Sequence, residues 1–252
     1  MAGHNKWSKI KHRKAAVEKK KTKIWTKIVK TIMVAAKNGG MDPDCNLALR
    51  YAIDEARYAN VPRDTIERAV KKGAGELGSQ NFENVRYEGY GPGGAAIVIE
   101  ALTDNRTRTA ADVRAAFAKH GGNLGTPGCV GFMFDSRGQI VIKPEGVNAD
   151  ALMETAIEAG AQDVTEPSGE EGPWILVTDP HDFLRVKDCV EKAGYQIEDA
   201  SITLIPNVVS KVSGDDAKSL LKLIDMIEDS DDVQKVHSNY EIPEEELAAM
   251  ES

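Results

Sequence analysis

The chain has little that supports covalent or metal chemistry. Its 252 residues contain three cysteines, Cys45, Cys129 and Cys189, far apart and in no CxxC or Cys/His cluster. That pattern supports neither a disulfide framework nor a zinc site, and it suits a reducing cytoplasm. The five histidines are scattered, and no nucleophile elbow, HExxH or Walker sequence occurs. We therefore expect no enzyme activity, no catalytic residue, no metal, no cofactor and no small-molecule substrate. No run of 18 apolar residues exists, so no membrane span is expected. The N-terminus is basic but lacks the apolar core of a secretory signal, and its scarcity of Arg and Ser argues against a transit peptide.

What is present is charge, and it is segregated. The total is −8, yet residues 1–72 hold 18 Lys and Arg against 7 Asp and Glu, and residues 73–252 hold 14 against 33. Twelve of the basic residues precede position 38. A basic arm on an acidic body points to a polyanionic partner. Lys6, Trp7, Lys9, Lys11, His12, Arg13 and Lys14 combine phosphate-binding charge with an aromatic able to stack on a base. The alternative is a solvated arm in which Trp7 packs on the body. From Thr22 to Asn38, apolar residues at helical spacing (Ile24, Trp25, Ile28, Val29, Ile32, Ala36) lie opposite Lys19, Lys23, Lys27, Lys30 and Lys37. One face packs and the other is a lysine stripe.

Gly39-Gly40 ends this helix, Asp42-Pro43 starts a second, and Asp64 with Glu67 forms a capping-box-like start to a third that ends at Lys72-Gly73. Residues 73–84 read as a linker. Two strands, Val85–Tyr90 and Ala95–Thr103, follow, then a helix Thr109–His120 and a strand Cys129–Phe134. Gly89–Gly94, GYGPGG, lies between strands, which favours a hairpin turn over a phosphate loop. Arg106 and Arg108 sit in a strand-to-helix loop, TDNRTRT, where side chains reach ligands; a connection capped by Thr107 or Thr109 is the other reading. Residues 139–204 then run β-α-β-β-α-β, the order of a ferredoxin-like unit. A strand Val208–Val212, a helix Asp215–Asp229, a strand Val233–Tyr240 and an acidic tail complete the chain.

The expected fold is α+β: a basic helical domain (1–78), a discontinuous α+β domain (79–135 and 206–242), a ferredoxin-like α+β domain inserted in it (136–205), and an acidic tail (243–252). The stretches KIWTKIVKTIMVAAKNGG, YEGYGPGG, LTDNRTRT and GGNLGTPGCVGF together resemble the YebC/PmpR family over about residues 1–240. Asn5 and Thr107 depart from its usual pattern. The resemblance implies three domains and a non-enzymatic role in gene expression. Bacterial members are described as DNA-binding regulators of transcription, while a mitochondrial relative activates translation. DNA and ribosomal RNA both remain open as the partner, and a protein-interaction scaffold is a rival of a different class.

Overall fold

A computed structural model describes residues 2–75, 82–167, 172–243 and 245–247, with the backbone only for residues 2–20. Its contacts divide the chain into two units, one made of 1–77 with 136–203 and the other of 78–135 with 204–252.

The first unit opens with three helices, α1 (Ala2–Gly39), α2 (Leu47–Tyr58) and α3 (Arg63–Gly75). Their core is Ile28, Ile32, Ala36, Leu49, Ala52, Ala56, Ile66 and Ala69, so the apolar face read from the 3.6-residue period is the one that packs. Gly73 lets α3 approach the Met33 carbonyl so closely that an added Cβ would collide with it. Trp25 donates its indole N–H to the Ala59 carbonyl at 3.0 Å, tying α1 to the end of α2.

Two helix starts differ from expectation. Asp42–Cys45 is a turn, and α2 begins at Leu47. Asn46 explains this: its amide donates to the Ala35 and Gly40 carbonyls, and its oxygen accepts from the Leu49 N–H. One buried side chain thus closes α1 and caps α2. In α3, Glu67 does not reach back to cap; it pairs with Arg63 at 2.8 Å.

Next in the chain come β1 (Glu83–Tyr90), β2 (Ala96–Thr103), α4 (Arg106–Lys119) and β3 (Asn123–Leu124), which belong to the second unit. The first unit resumes with most of β4 (Phe134–Ile142), α5 (Ala149–Ala159), β5 (Ala161–Thr165), β6 (Trp174–Thr178), α6 (Phe183–Lys192) and most of β7 (Ile197–Pro206). The sheet order is β5-β6-β4-β7, with β6 antiparallel to both neighbours. That is the split βαβ arrangement expected from the element order. Ile140, Ile142, Leu152, Trp174, Leu176, Phe183 and Val186 fill its core.

The second unit holds β1 (Glu83–Tyr90), β2 (Ala96–Thr103), α4 (Arg106–Lys119), β3 (Asn123–Leu124), β8 (Ser210–Lys211), α7 (Gly214–Glu228), β9 (Val233–Ser238) and β10 (Tyr240–Glu241). The larger sheet has the order β3-β1-β2-β9, and β8 pairs with β10 in parallel. GYGPGG is a hairpin connection: β1 and β2 are antiparallel, and Gly93 and Gly94 take φ of 69° and 73°. Glycine, which lacks a Cβ, adopts such angles at no steric cost. α4 and α7 cover the sheet through Phe117, Leu220 and Leu223.

The expected strand Cys129–Phe134 is instead a tight turn at Gly131–Met133, and the strand begins at Phe134. The cause is Glu88, whose carboxylate takes the N–H groups of Val130 and Gly131 that a strand would have paired elsewhere. The expected strand Val208–Val212 shrinks to Ser210–Lys211.

Candidate nucleic-acid interface

α1 spans 38 residues, about 57 Å at 1.5 Å per residue. Lys6, Trp7, Lys9, Lys11, His12, Arg13 and Lys14 fall on its backbone, and their side chains lie outside the described residues. Lys23, Lys27 and Lys30 follow at i, i+4 and i+7, which puts them on one side of the helix. Ile28, Ile32 and Ala36 are buried on the other side. Lys23 is exposed, whereas Lys27 and Lys30 are half-buried, so their stems lie against protein. Lys21 sits over the Trp25 ring, 5.2 Å from its centroid. With its indole committed to Ala59, Trp25 is an anchor for the helix.

Arg106 and Arg108 lie in the second unit, in the first turn of α4. Asn105 caps that turn by accepting from the Arg108 N–H, so neither Thr107 nor Thr109 serves as the cap. Thr109 is buried instead. Its hydroxyl and that of Thr103 donate to Asp232 at 2.9 and 3.2 Å. The two arginines then part company. Arg108 reaches Asp232 at 2.6 Å and Asp104 at 2.9 Å, and these carboxylates hold its pKa above the ordinary guanidinium value. Arg106 has an exposed side chain, and its carbonyl accepts from the Tyr87 hydroxyl.

Glu88 was missed from the sequence, although its place in an alternating strand between two tyrosines is a signal. It is 5% exposed. Burial pushes its carboxyl pKa up, but the N–H groups of Val130, Gly131 and Gly128, together with Arg86, outweigh that and bring it below the ordinary carboxylate value. Arg86 lies 3.1 Å away. The carboxylate thereby fixes the loop GTPGCVGF.

Among the described residues no group of His, Cys, Asp and Glu is placed to hold a metal ion, and no helix is long and apolar enough to cross a membrane. Two family models match, described as the TACO1/YebC protein N-terminal domain over residues 5–76 and the TACO1/YebC second and third domain over 82–240. The chain belongs to the TACO1/YebC family. A "probable transcriptional regulatory protein" of Geotalea uraniireducens is 52% identical over 250 residues, covering 99% of this chain and all of the relative. A protein of the same description from Geobacter sulfurreducens is 50% identical, covering 98% of each. A crystal structure of a conserved hypothetical protein from Aquifex aeolicus shares 45% identity at a TM-score of 0.80, over 90% of this chain and 93% of that one. The relatives are thus named as regulators, and the N-terminal helices and the α+β body of this chain fall in the segments matched by the family's N-terminal domain and by its second and third domain.

Proposed function

We propose that the protein is a non-enzymatic regulator of gene expression that grips a nucleic acid through α1. The observation that carries this reading is the lysine side of α1, with Lys23, Lys27 and Lys30 opposite a buried apolar side, continuing into a segment that holds five more basic residues before position 15. Lysines displace condensed counterions from a phosphate backbone and gain entropy by doing so. The relatives' description favours DNA as the partner. The residue types favour a second reading, ribosomal RNA and a role in translation. Lysine holds phosphates without reading bases, and base readout leans on Arg, Asn and Gln. Under either reading the protein works in the cytoplasm and turns over no substrate.

The test is titration of labelled duplex DNA and of ribosomal RNA at several salt concentrations. With six to eight phosphate contacts, log affinity falls against log salt with a slope of about −4 to −7. Deleting residues 1–21 flattens the slope by several units. Changing Lys23, Lys27 and Lys30 to Gln removes up to about three. An unchanged slope and affinity in both variants refutes the grip.

A further inference from the structure

The loop after β3 is tied down from several sides while its largest apolar side chain faces outward. Glu88 accepts from the Val130 and Gly131 N–H groups at 3.0 and 2.7 Å. Tyr90 donates its hydroxyl to the Cys129 carbonyl at 3.1 Å. From another segment, Asn207 donates its backbone N–H to Met133 at 2.9 Å and its side-chain amide to the Phe132 carbonyl at 3.1 Å. Between these ties Phe132 is 70% exposed, and next to Asn207, Val208 and Val209 are 55% and 39% exposed. With Tyr90, four of the eight large apolar side chains exposed among the described residues collect around this loop. Scattered exposed apolar residues are ordinary, but a gathered set on fixed backbone marks an interaction site.

We infer that this patch docks a protein whose facing surface is basic, with Phe132 as the buried anchor. The charge of the unit selects the occupant. Residues 78–135 and 204–252 hold 9 Lys and Arg against 18 Asp and Glu, a net of −9. That field repels a phosphate backbone, an anionic bilayer and a second copy of the same unit, and it attracts a cationic protein surface. Aromatic anchors in a fixed pocket carry a large share of the energy at protein interfaces, so a rigid loop with a protruding phenylalanine is suited to the role. The inference goes beyond the proposed grip and does not depend on it.

The experiment places the photocrosslinking analogue benzoylphenylalanine at position 132 of the full chain in cells. Irradiated adducts are treated with nuclease or protease and identified by mass spectrometry. The expected adduct is nuclease-resistant and joins the chain to one protein with a basic surface. That protein, purified, is then titrated with the wild type, with Phe132→Ala and with a chain lacking residues 1–21. Phe132→Ala binds at least about tenfold more weakly and melts at the wild-type temperature, because the ring is 70% exposed. The truncated chain binds as the full chain does, even where nucleic-acid binding is lost. An adduct with nucleic acid, lipid or a second copy overturns the inference. So does the absence of any adduct, or an identified partner that Phe132→Ala binds with unchanged affinity.

Discussion

Replacing Glu88 tests whether one carboxylate shapes the loop that follows β3. Its Oε2 accepts from two backbone N–H groups and its Oε1 pairs with Arg86. Hydrogen bonds to a charged group contribute about 1.5–3 kcal/mol each. Glu88→Gln keeps the shape and one accepting oxygen but removes the charge behind two such bonds, so the loss is about 2 kcal/mol. Glu88→Ala leaves the Val130 N–H buried without an acceptor and costs about 3 kcal/mol or more. Near the melting point the Gln variant then melts about 10 °C lower in the transition of this unit. The sign with pH follows from the lowered pKa. Relative to the ordinary carboxyl value of 4.5, Glu88 stays ionised further into acid in the folded chain. Its stabilisation is therefore complete above the unfolded value and is lost as the pH falls through the lower folded one. Urea denaturation at pH 7 and at successive pH values below 5 measures the gap between wild type and Glu88→Gln. A gap under about 0.5 kcal/mol at pH 7, or one that stays constant into acid, refutes the account.

Two further perturbations separate side chains that look alike in the sequence. Arg108→Ala removes the cation between Asp104 and Asp232 and lowers the melting temperature of this unit, while Arg106→Ala leaves it nearly unchanged; equal melting temperatures for the two refute the distinction. Asp54→Ala strands the buried ammonium of Lys187, 2.8 Å away in the wild type, at a cost of about 3–5 kcal/mol, whereas Asp54→Ala with Lys187→Met recovers most of it; a double variant no more stable than the single one counts against a paired charge.

The elements that the sequence disclosed are those whose cause is local. The apolar period of α1, the glycines of the β1–β2 hairpin and the individual strands and helices within residues 139–204 each depend on a few neighbouring positions. The misplaced elements have distant causes. Asn46 starts α2 because it bonds carbonyls 6 and 11 residues earlier, at the end of the preceding helix. Residues 129–133 turn because Glu88, 42 residues before Val130, takes their amides. The two arginines of TDNRTRT diverge because Asp232, 124 residues on, binds one of them. Of the expected contact residues, Lys23, Lys27 and Lys30 keep the single side that their spacing requires. Arg108 also pairs with Asp104 and Asp232 within its own unit.

Segregated charge also bears on how the first unit holds together. Residues 1–77 carry a net +10 and residues 136–203 a net −9, so the two halves attract in bulk. Arg50 and Asp188, 3.7 Å apart, follow that sense and are partly exposed, so salt reaches and screens them. The buried pair runs the other way: the basic half supplies Asp54 and the acidic half supplies Lys187, 8% and 4% exposed. Bulk attraction favours contact in many registers, while a buried reversed pair tolerates one, because any slip leaves an unpaired charge out of water. Tyr51 against Phe183, with ring centroids 5.8 Å apart, and the Tyr58 hydroxyl donating to Glu191 lie along the same seam. All of these contacts come from α2. The lysines of α1 thus stand on a different helix from the one that carries this seam. Added salt should therefore weaken a phosphate grip on α1 well before it loosens the contact of α2 with α6. Binding measured across a salt series and hydrogen exchange of α2 over the same series distinguish the two, and parallel loss of both would show that one electrostatic surface serves both partners.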